Sequence, residues 1–141
     1  MTTTVSTVIS ADGSMSNVTR FVPRIIQQSN ETAQRAAVCG FGGGLIAGGI
    51  KMTFNMKANF AERTATQVFA PAYRLAPEHP YPAALEDISS TITWLRARAA
   101  DLNVDPARIV MFRQSAGGNL VASVALKARD CSAGTTIPDA G

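Results

Sequence analysis

Apolar residues recur at helical spacing along one stretch of the chain more regularly than elsewhere. Intervals of three and four residues place them on one face of a helix, with polar residues between them. The members of this face are Leu85, Ile88, Ile92, Leu95, Ala99 and Leu102. Pro82 precedes the pattern, and proline suits the first turn of a helix because its missing N–H is not needed there. The pattern therefore predicts an amphipathic helix that begins near Pro82.

Shorter apolar runs on either side of this helix predict strands. The strands are predicted at residues 21–26, 36–41, 66–70 and 108–112. Pro23 restricts the first of them to a sheet edge. Helical spacing also recurs over residues 51–63 and 116–129. Strands that alternate with helices are typical of an α/β fold, with a mainly parallel sheet flanked by helices and ligands bound at the carboxyl ends of the strands.

The first 20 residues are rich in threonine and serine and show no sustained periodicity. We therefore expect residues 1–20 to be a poorly ordered lead-in and residues 21–141 to form the domain. Within that domain, residues 73–82 carry three prolines, which exclude a regular helix or a central strand. This segment is predicted to be a fixed loop.

Composition narrows the function classes. The 141 residues suffice for one domain, and 46% of them are hydrophobic. The net charge of +3 comes from scattered side chains without interleaved aromatic residues, so we expect no nucleic-acid partner.

Cys39 and Cys131 form no paired motif, which favours buried thiols over a disulfide framework or a metal site. Neither a signal peptide nor an apolar membrane span is evident, which predicts a cytoplasmic protein.

The strongest candidate for chemistry is Ser115, which lies between a predicted strand and a predicted helix. A serine on such a turn projects from the sheet edge, beside the first N–H groups of the helix. The usual pattern is G-x-S-x-G, and here Gly117 is present while Arg113 stands at the first glycine. An ordinary helix N-cap is the alternative interpretation of this serine.

A glycine cluster follows the predicted strand 36–41. Glycine backbone approaches a ligand closely because no side chain intervenes, so Gly42, Gly43 and Gly44 are candidates for N–H groups that bind an oxyanion. The N–H of Ala116, directly after the serine, is a further candidate donor.

Several blocks of the chain together resemble the hormone-sensitive-lipase-like group of α/β-hydrolase esterases. Residues 73–87 read YRLAPEHPYPAALED, residues 104–109 read VDPARI and residues 115–120 read SAGGNL. The resemblance extends from about Ala37 to Asp130 and implies an α/β-hydrolase fold. It also implies hydrolysis of carboxylic esters by a serine nucleophile, a small-molecule ester or apolar acyl ligand, and neither a metal nor an organic cofactor. In that family the last glycines of an H-G-G-G loop donate to the oxyanion, and they correspond here to Gly43 and Gly44.

Three positions depart from the pattern of this family. Phe41 replaces the histidine of H-G-G-G, Ala72 replaces an aspartate before the Tyr-Arg-Leu block, and Arg113 replaces the elbow glycine. The last change puts a long side chain where strand and helix cross closely, at a cost of a few kcal/mol.

The catalytic acid and base depart from the family pattern more seriously than these three positions do. In this fold the acid and then the histidine follow the serine in the chain. After Ser115 the acids are Asp130 and Asp139, and the one histidine, His79, precedes it and is interpreted as a loop residue. We therefore expect an incomplete α/β-hydrolase domain without its C-terminal strands, very weak esterase activity, and self-association through an uncovered sheet edge.

Two other hypotheses stay open. In one, the chain is a non-catalytic relative that keeps the pocket as a binding protein. In the other, it is a truncation product without a function of its own. For Arg74, Glu78 and Asp87 we favour ion pairs that fix the proline-rich loop over a catalytic role.

Overall fold

Within the part of the chain that the structure describes, five strands form a single sheet. The computed structural model describes residues 1–31, 33–43, 46–112 and 118–132, and within the last range it describes the side chains of residues 122–129. The strands are β1 (Thr2–Ile9), β2 (Met15–Val22), β3 (Gln34–Cys39), β4 (Gln67–Pro71) and β5 (Val104–Phe112). The helices are α1 (Arg24–Gln27), α2 (Ile50–Thr64), α3 (Ala83–Ala97) and α4 (Gly118–Ser132).

The sheet is mixed rather than mainly parallel. In its second half β3 pairs in parallel with both β4 and β5, as the alternation of strands and helices predicted. In its first half β1 and β2 form an antiparallel hairpin, and β2 pairs antiparallel with β4. The parallel strands β4, β3 and β5 therefore provide the edge at which the carboxyl ends of neighbouring strands meet.

The expectation of a poorly ordered lead-in over residues 1–20 is wrong, because this segment supplies two strands. Threonine and valine are β-branched and favour extended backbone even where hydrophobic alternation is weak. Asp12-Gly13 forms the turn, and Gly13 has a φ of 84° that favours glycine. Val18 of β2 is fully buried, so the hairpin belongs to the core.

The predicted edge strand over residues 21–26 is also wrong. β2 ends at Val22 and lies inside the sheet between β1 and β4, and the chain turns into the short helix α1 after Pro23. Proline lacks the N–H that a sheet ladder requires, so it ends the strand here instead of marking an edge.

Helices cover both faces of the sheet, as expected for an α/β fold. On one face Leu95 of α3 packs in a cluster with Val38 and Phe69. On the other face Ala61 of α2 packs with Ala37 and Val68. Neighbouring strand residues thus alternate between the two faces, and both faces are apolar.

The best predicted helix is confirmed, but it ends earlier than its apolar pattern. α3 ends at Ala97, and Ala99 and Leu102 continue the apolar face from turns that follow it. The N–H groups of Arg98 and Leu102 still make turn hydrogen bonds to carbonyls four residues earlier. Across the described ranges, no helix combines the length and the apolar content needed to cross a bilayer.

Candidate functional site

The carboxyl ends of β3 and β5 lie side by side. The two strands are parallel neighbours, and Cys39 is paired with Phe112 at the last position of both. β3 continues into the glycine loop, which comprises residues 40–49, and five residues connect β5 to α4, which begins at Gly118. Ser115, Ala116 and Arg113 belong to this connection and lie outside the described residues, as does Gly44. The strand and the helix predicted on either side of Ser115 are thus both present.

The glycine loop folds back on itself at two positions where only glycine fits. Gly43 has a φ of 131°, and a Cβ there would lie 2.0 Å from the carbonyl oxygen of Ala47. The N–H groups of Ile46 and Ala47 donate to the carbonyl of Gly43 at 3.2 and 3.1 Å. Gly48 has a φ of 106°, and its Cβ would lie 2.3 Å from the carbonyl oxygen of Gly42. The described residues on either side of this turn therefore approach each other too closely for any side chain at positions 43 and 48.

Tyr73 fixes the start of this loop. Its ring stacks on the ring of Phe41, with the centroids 4.1 Å apart and the planes 4° from parallel. Its hydroxyl donates to the carbonyl of Phe41 at 2.5 Å, and both residues are buried. The sequence placed Tyr73 in a family block but gave no sign of this role, because its acceptor is a backbone group 32 residues away.

Arg74, the next residue, joins three parts of the chain. Its guanidinium donates to both carboxylate oxygens of Asp87 on α3 and to Asp12 Oδ2 in the hairpin turn, at 2.7 Å for the latter. It also donates to Ser14 Oγ at 2.9 Å. Asp87 is fully buried and accepts further hydrogen bonds from the backbone N–H of Arg74 and the hydroxyl of Ser10.

The predicted ion pair between Arg74 and Asp87 is therefore confirmed, and it fixes the proline-rich loop. Glu78, by contrast, is exposed and makes no ion pair with the described residues. Because both aspartates of the network are bonded to Arg74, the network connects the hairpin turn, the loop and α3 in one polar cluster.

The charges of this network stabilise each other. Burial raises the pKa of the Asp87 carboxyl, but hydrogen bonds from Arg74 and Ser10 outweigh burial, and the net shift is downward. Hydrogen bonds from the backbone of Ser14 and from Arg74 lower the pKa of Asp12 to about 2. Hydrogen bonds to Asp87 and Asp12 raise the pKa of Arg74. All three groups are therefore charged at neutral pH.

His79 has the loop position expected of it. The residue is exposed, and its backbone N–H donates to the carbonyl of Leu75 at 2.9 Å within the proline-rich loop. This hydrogen bond contributes to the turn and involves no catalytic group.

Comparison with known proteins agrees with this arrangement. A family model described as alpha/beta hydrolase fold matches residues 38–137. Carboxylesterase NlhH of Mycobacterium tuberculosis is 42% identical over 89 residues, which are 63% of this chain and 28% of that protein. Hormone-sensitive lipase of Ictidomys tridecemlineatus is 32% identical over 122 residues, 83% of this chain and 16% of that protein. The chain thus spans less than a third of the length of these curated relatives.

Solved structures show the same likeness. A hyperthermophilic esterase from the archaeon Pyrobaculum calidifontis superposes with a TM-score of 0.84 and 30% identity, over 93% of this chain and 40% of that one. The matched part of that esterase therefore corresponds to nearly all of this chain. The chain belongs to the α/β-hydrolase fold family, in the group of esterases that includes relatives of hormone-sensitive lipase.

Proposed function

We propose that this chain carries the nucleophile and the oxyanion-binding groups of a serine esterase that acts on small-molecule carboxylic esters. One observation supports this most directly, namely that β3 and β5 end at paired residues on the same sheet edge. The glycine loop begins directly after one strand and the connection with Ser115 directly after the other. Nucleophile and oxyanion donors must lie within a few ångströms of one carbonyl carbon, and this topology starts both segments there.

In the proposed reaction the Ser115 hydroxyl attacks the ester carbonyl carbon. The carbonyl oxygen takes the negative charge, and the N–H groups of Gly43, Gly44 and Ala116 donate to it. Collapse of the tetrahedral intermediate expels the alcohol, which takes up the proton that the serine lost, and leaves an acyl-serine. Water then attacks the acyl-serine and releases the carboxylic acid.

The proton acceptor is the group that these 141 residues do not supply at the usual place. His79 is the one histidine in the sequence, precedes Ser115 and is an exposed loop residue. Without a base, oxyanion binding and positioning give only about 10³ to 10⁴ over the reaction in water. We therefore propose that this chain by itself hydrolyses esters very weakly.

A non-catalytic binding role is the second candidate. It is favoured by Phe41, which stands where the resemblance places a histidine and is buried in an aromatic stack. An apolar ring in that position serves to pack the loop and cannot exchange a proton. A cytoplasmic location stays a prediction under either role.

Labelling with a fluorophosphonate probe tests the proposal that the chain is a serine esterase. We expect the probe to modify the chain slowly, and the signal to disappear in Ser115→Ala, with slow hydrolysis of 4-nitrophenyl butyrate lost in the same variant. Ser90→Ala on α3 is the matched control and should label like the parent chain. Equal labelling of the parent chain and Ser115→Ala would show that Ser115 is not the nucleophile. Turnover at the rate of a complete esterase would contradict the proposal that the chain lacks a general base.

Self-association is a further part of the proposal. β5 is an outer strand of the sheet in the described part of the chain, and the side chain of Val110 is 57% exposed. Open strand edges with apolar residues favour pairing with another strand. Sedimentation velocity should show species that grow with concentration, and Val110→Lys should reduce them. A monomer at every concentration contradicts this expectation.

A further inference from the structure

A groove of about 330 Å³ lies between α3 and α4, on the face of the sheet that α3 covers. Its floor is apolar and is formed by Ile92 of α3, Ile109 and Met111 of β5, and Val124 of α4. The first three of these side chains are only half-buried, so apolar surface in the groove stays in contact with water. Ligand sites commonly have volumes of about 300–1,000 Å³, and the groove therefore suits a small ligand.

The two helices that form the groove run side by side in the same direction. α3 follows β4 and α4 follows β5, so both begin at the carboxyl edge of the parallel strands. Val124 packs in one cluster with Ile88, and Ile92 contacts the same cluster. One turn farther along each helix, Arg96 of α3 and Lys127 of α4 line the groove. The groove is therefore apolar at the end near the strand ends and cationic at the other end.

The two cations have no acidic partner in the part of the chain that the structure describes. Neither Arg96 nor Lys127 takes part in an ion pair there, and no acidic residue is among the described residues that line the groove. Arg96 is exposed and Lys127 is half-buried. Two like charges at one end of a groove attract an anion, and both side chains donate charge-assisted hydrogen bonds to a carboxylate.

We propose that this groove binds a medium-chain fatty acid, with its carboxylate between Arg96 and Lys127 and its hydrocarbon chain over the apolar floor. Charge complementarity favours the acid over a neutral amphiphile, which would leave both cations without a partner. A bilayer surface fits less well, because the apolar side chains form the floor of a groove and do not protrude from a helix face. The site uses neither Ser115 nor the glycine loop, so the proposal is independent of the proposed esterase function.

Straight-chain carboxylates from hexanoate to decanoate, kept below their micelle concentrations, are suitable probes. With ¹³C-methyl-labelled methionine, we expect the Met111 methyl signal to shift and saturate, while Met15, exposed on the hairpin, should not respond. The dissociation constant should fall about three- to fourfold with each added methylene. 1-Octanol has the chain of octanoate without its charge and should bind about tenfold more weakly, and added salt should weaken the binding of octanoate alone.

Arg96→Gln and Lys127→Gln test the cationic end. Each should weaken octanoate binding about threefold, and the double variant about tenfold, while the binding of 1-octanol stays unchanged. Arg35→Gln removes the same charge at an exposed position of β3 outside the groove, and should bind octanoate like the parent chain.

Ala128→Phe tests the space for the hydrocarbon chain. Ala128 is exposed and lines the groove, so a ring there should fill the groove and abolish octanoate binding. Ala125→Phe, at an exposed residue of α4 that does not line the groove, is the matched control and should bind like the parent chain. Equal shifts at Met111 and Met15, equal affinity for octanoate and 1-octanol, or full binding by the double variant or by Ala128→Phe would each overturn the proposal.

Vesicles of phosphatidylglycerol distinguish a free fatty acid from a lipid surface. We expect the chain not to sediment with them at physiological salt. Sedimentation that Lys127→Gln removes, without a saturable Met111 shift by octanoate, would assign the cations to a membrane and overturn the proposal. Octanoate binding should survive Ser115→Ala, so it is separable from fluorophosphonate labelling.

Discussion

Tyr73 and Arg74 are consecutive residues with opposite surroundings. Arg74 lies in a polar network in which Asp12, Ser14 and Asp87 accept its hydrogen bonds. Tyr73 lies between an apolar stack and an open cavity, with one hydrogen bond to the carbonyl of Phe41. The first region satisfies its charges within the protein, whereas the second buries two stacked aromatic rings beside an open cavity. The difference indicates that Arg74 connects parts of the fold, whereas Tyr73 holds the glycine loop beside an open cavity.

Removing the buried carboxylate should give the largest effect. Asp87→Ala leaves Arg74 without its main partner in a mostly buried position, where its side chain is 17% exposed. Loss of one member of a buried pair costs about 3–5 kcal/mol. We expect urea unfolding to show this decrease in the free energy of unfolding.

The pair of Arg98 and Asp101 provides the matched control for that substitution. Both side chains are more than half exposed, so Asp101→Ala should cost less than about 1 kcal/mol. If Asp87→Ala and Asp101→Ala lose similar free energies of unfolding, the buried network of Arg74 stabilises the fold no more than an exposed ion pair does.

Two glycines allow the regions to be compared by one chemical change. Gly43→Ala in the loop brings a Cβ to within 2.0 Å of a carbonyl oxygen, and its φ of 131° is strained for alanine. Together these should cost about 2–4 kcal/mol and slow Ser115 labelling. Gly13→Ala in the hairpin turn has a φ of 84° but meets no atom within 4 Å, so only the backbone penalty of about 1–2 kcal/mol applies.

Urea unfolding of both variants gives the stability comparison, and fluorophosphonate labelling gives the functional one. Gly13→Ala is the control for labelling and should retain the rate of the parent chain at a temperature where it is folded. An unchanged labelling rate in Gly43→Ala would remove the glycine loop from the proposed oxyanion site.

The sequence predicts the parts of this fold that depend on long periodic patterns. α3 was found because its apolar residues repeat over four turns, and the parallel strands because each is a short apolar run. The hairpin of β1 and β2 was missed because threonine and serine dominate β1, and its exposed positions carry no hydrophobic signal. The hairpin joins the sheet through the antiparallel pairing of β2 with β4, which local sequence does not specify.

The candidate site was likewise predicted only in part. Gly43 was proposed from its cluster, but Gly48 owes its need for glycine to a close approach by the carbonyl of Gly42. Such an approach exists only once the loop has folded. The meeting of Phe41 and Ala72 in one cavity likewise depends on the pairing of β3 with β4.

Acid should weaken the polar network of Arg74. The pKa of Asp12 falls from 3.8 to about 2 on folding, and that of Asp87 is also lowered. Groups with a depressed pKa contribute stability that is fully present above the unfolded value and is lost as pH falls through the folded value. The free energy of unfolding should therefore be steady above about pH 5 and decrease from there toward pH 2.

Urea unfolding at a series of pH values measures this slope, and Asp12→Asn should make it shallower. Ser6→Ala, an uncharged change on the same hairpin, is the control and should keep the slope of the parent chain. Stability that rises as the pH falls from 5 to 2 would contradict the assignment of charged aspartates.

The smallest effect is expected at the residue that separates the two regions. Tyr73→Phe keeps the stack on Phe41 but removes the hydrogen bond to its carbonyl, at a cost of about 1 kcal/mol. Tyr81→Phe, at a tyrosine that is 80% exposed, should stay within about 0.5 kcal/mol of the parent chain. If Tyr73 positions the glycine loop, Tyr73→Phe should slow Ser115 labelling by more than its small stability loss explains. A labelling rate that matches Tyr81→Phe would mean that the stack alone holds the loop, and that the hydroxyl serves only the stability of the fold.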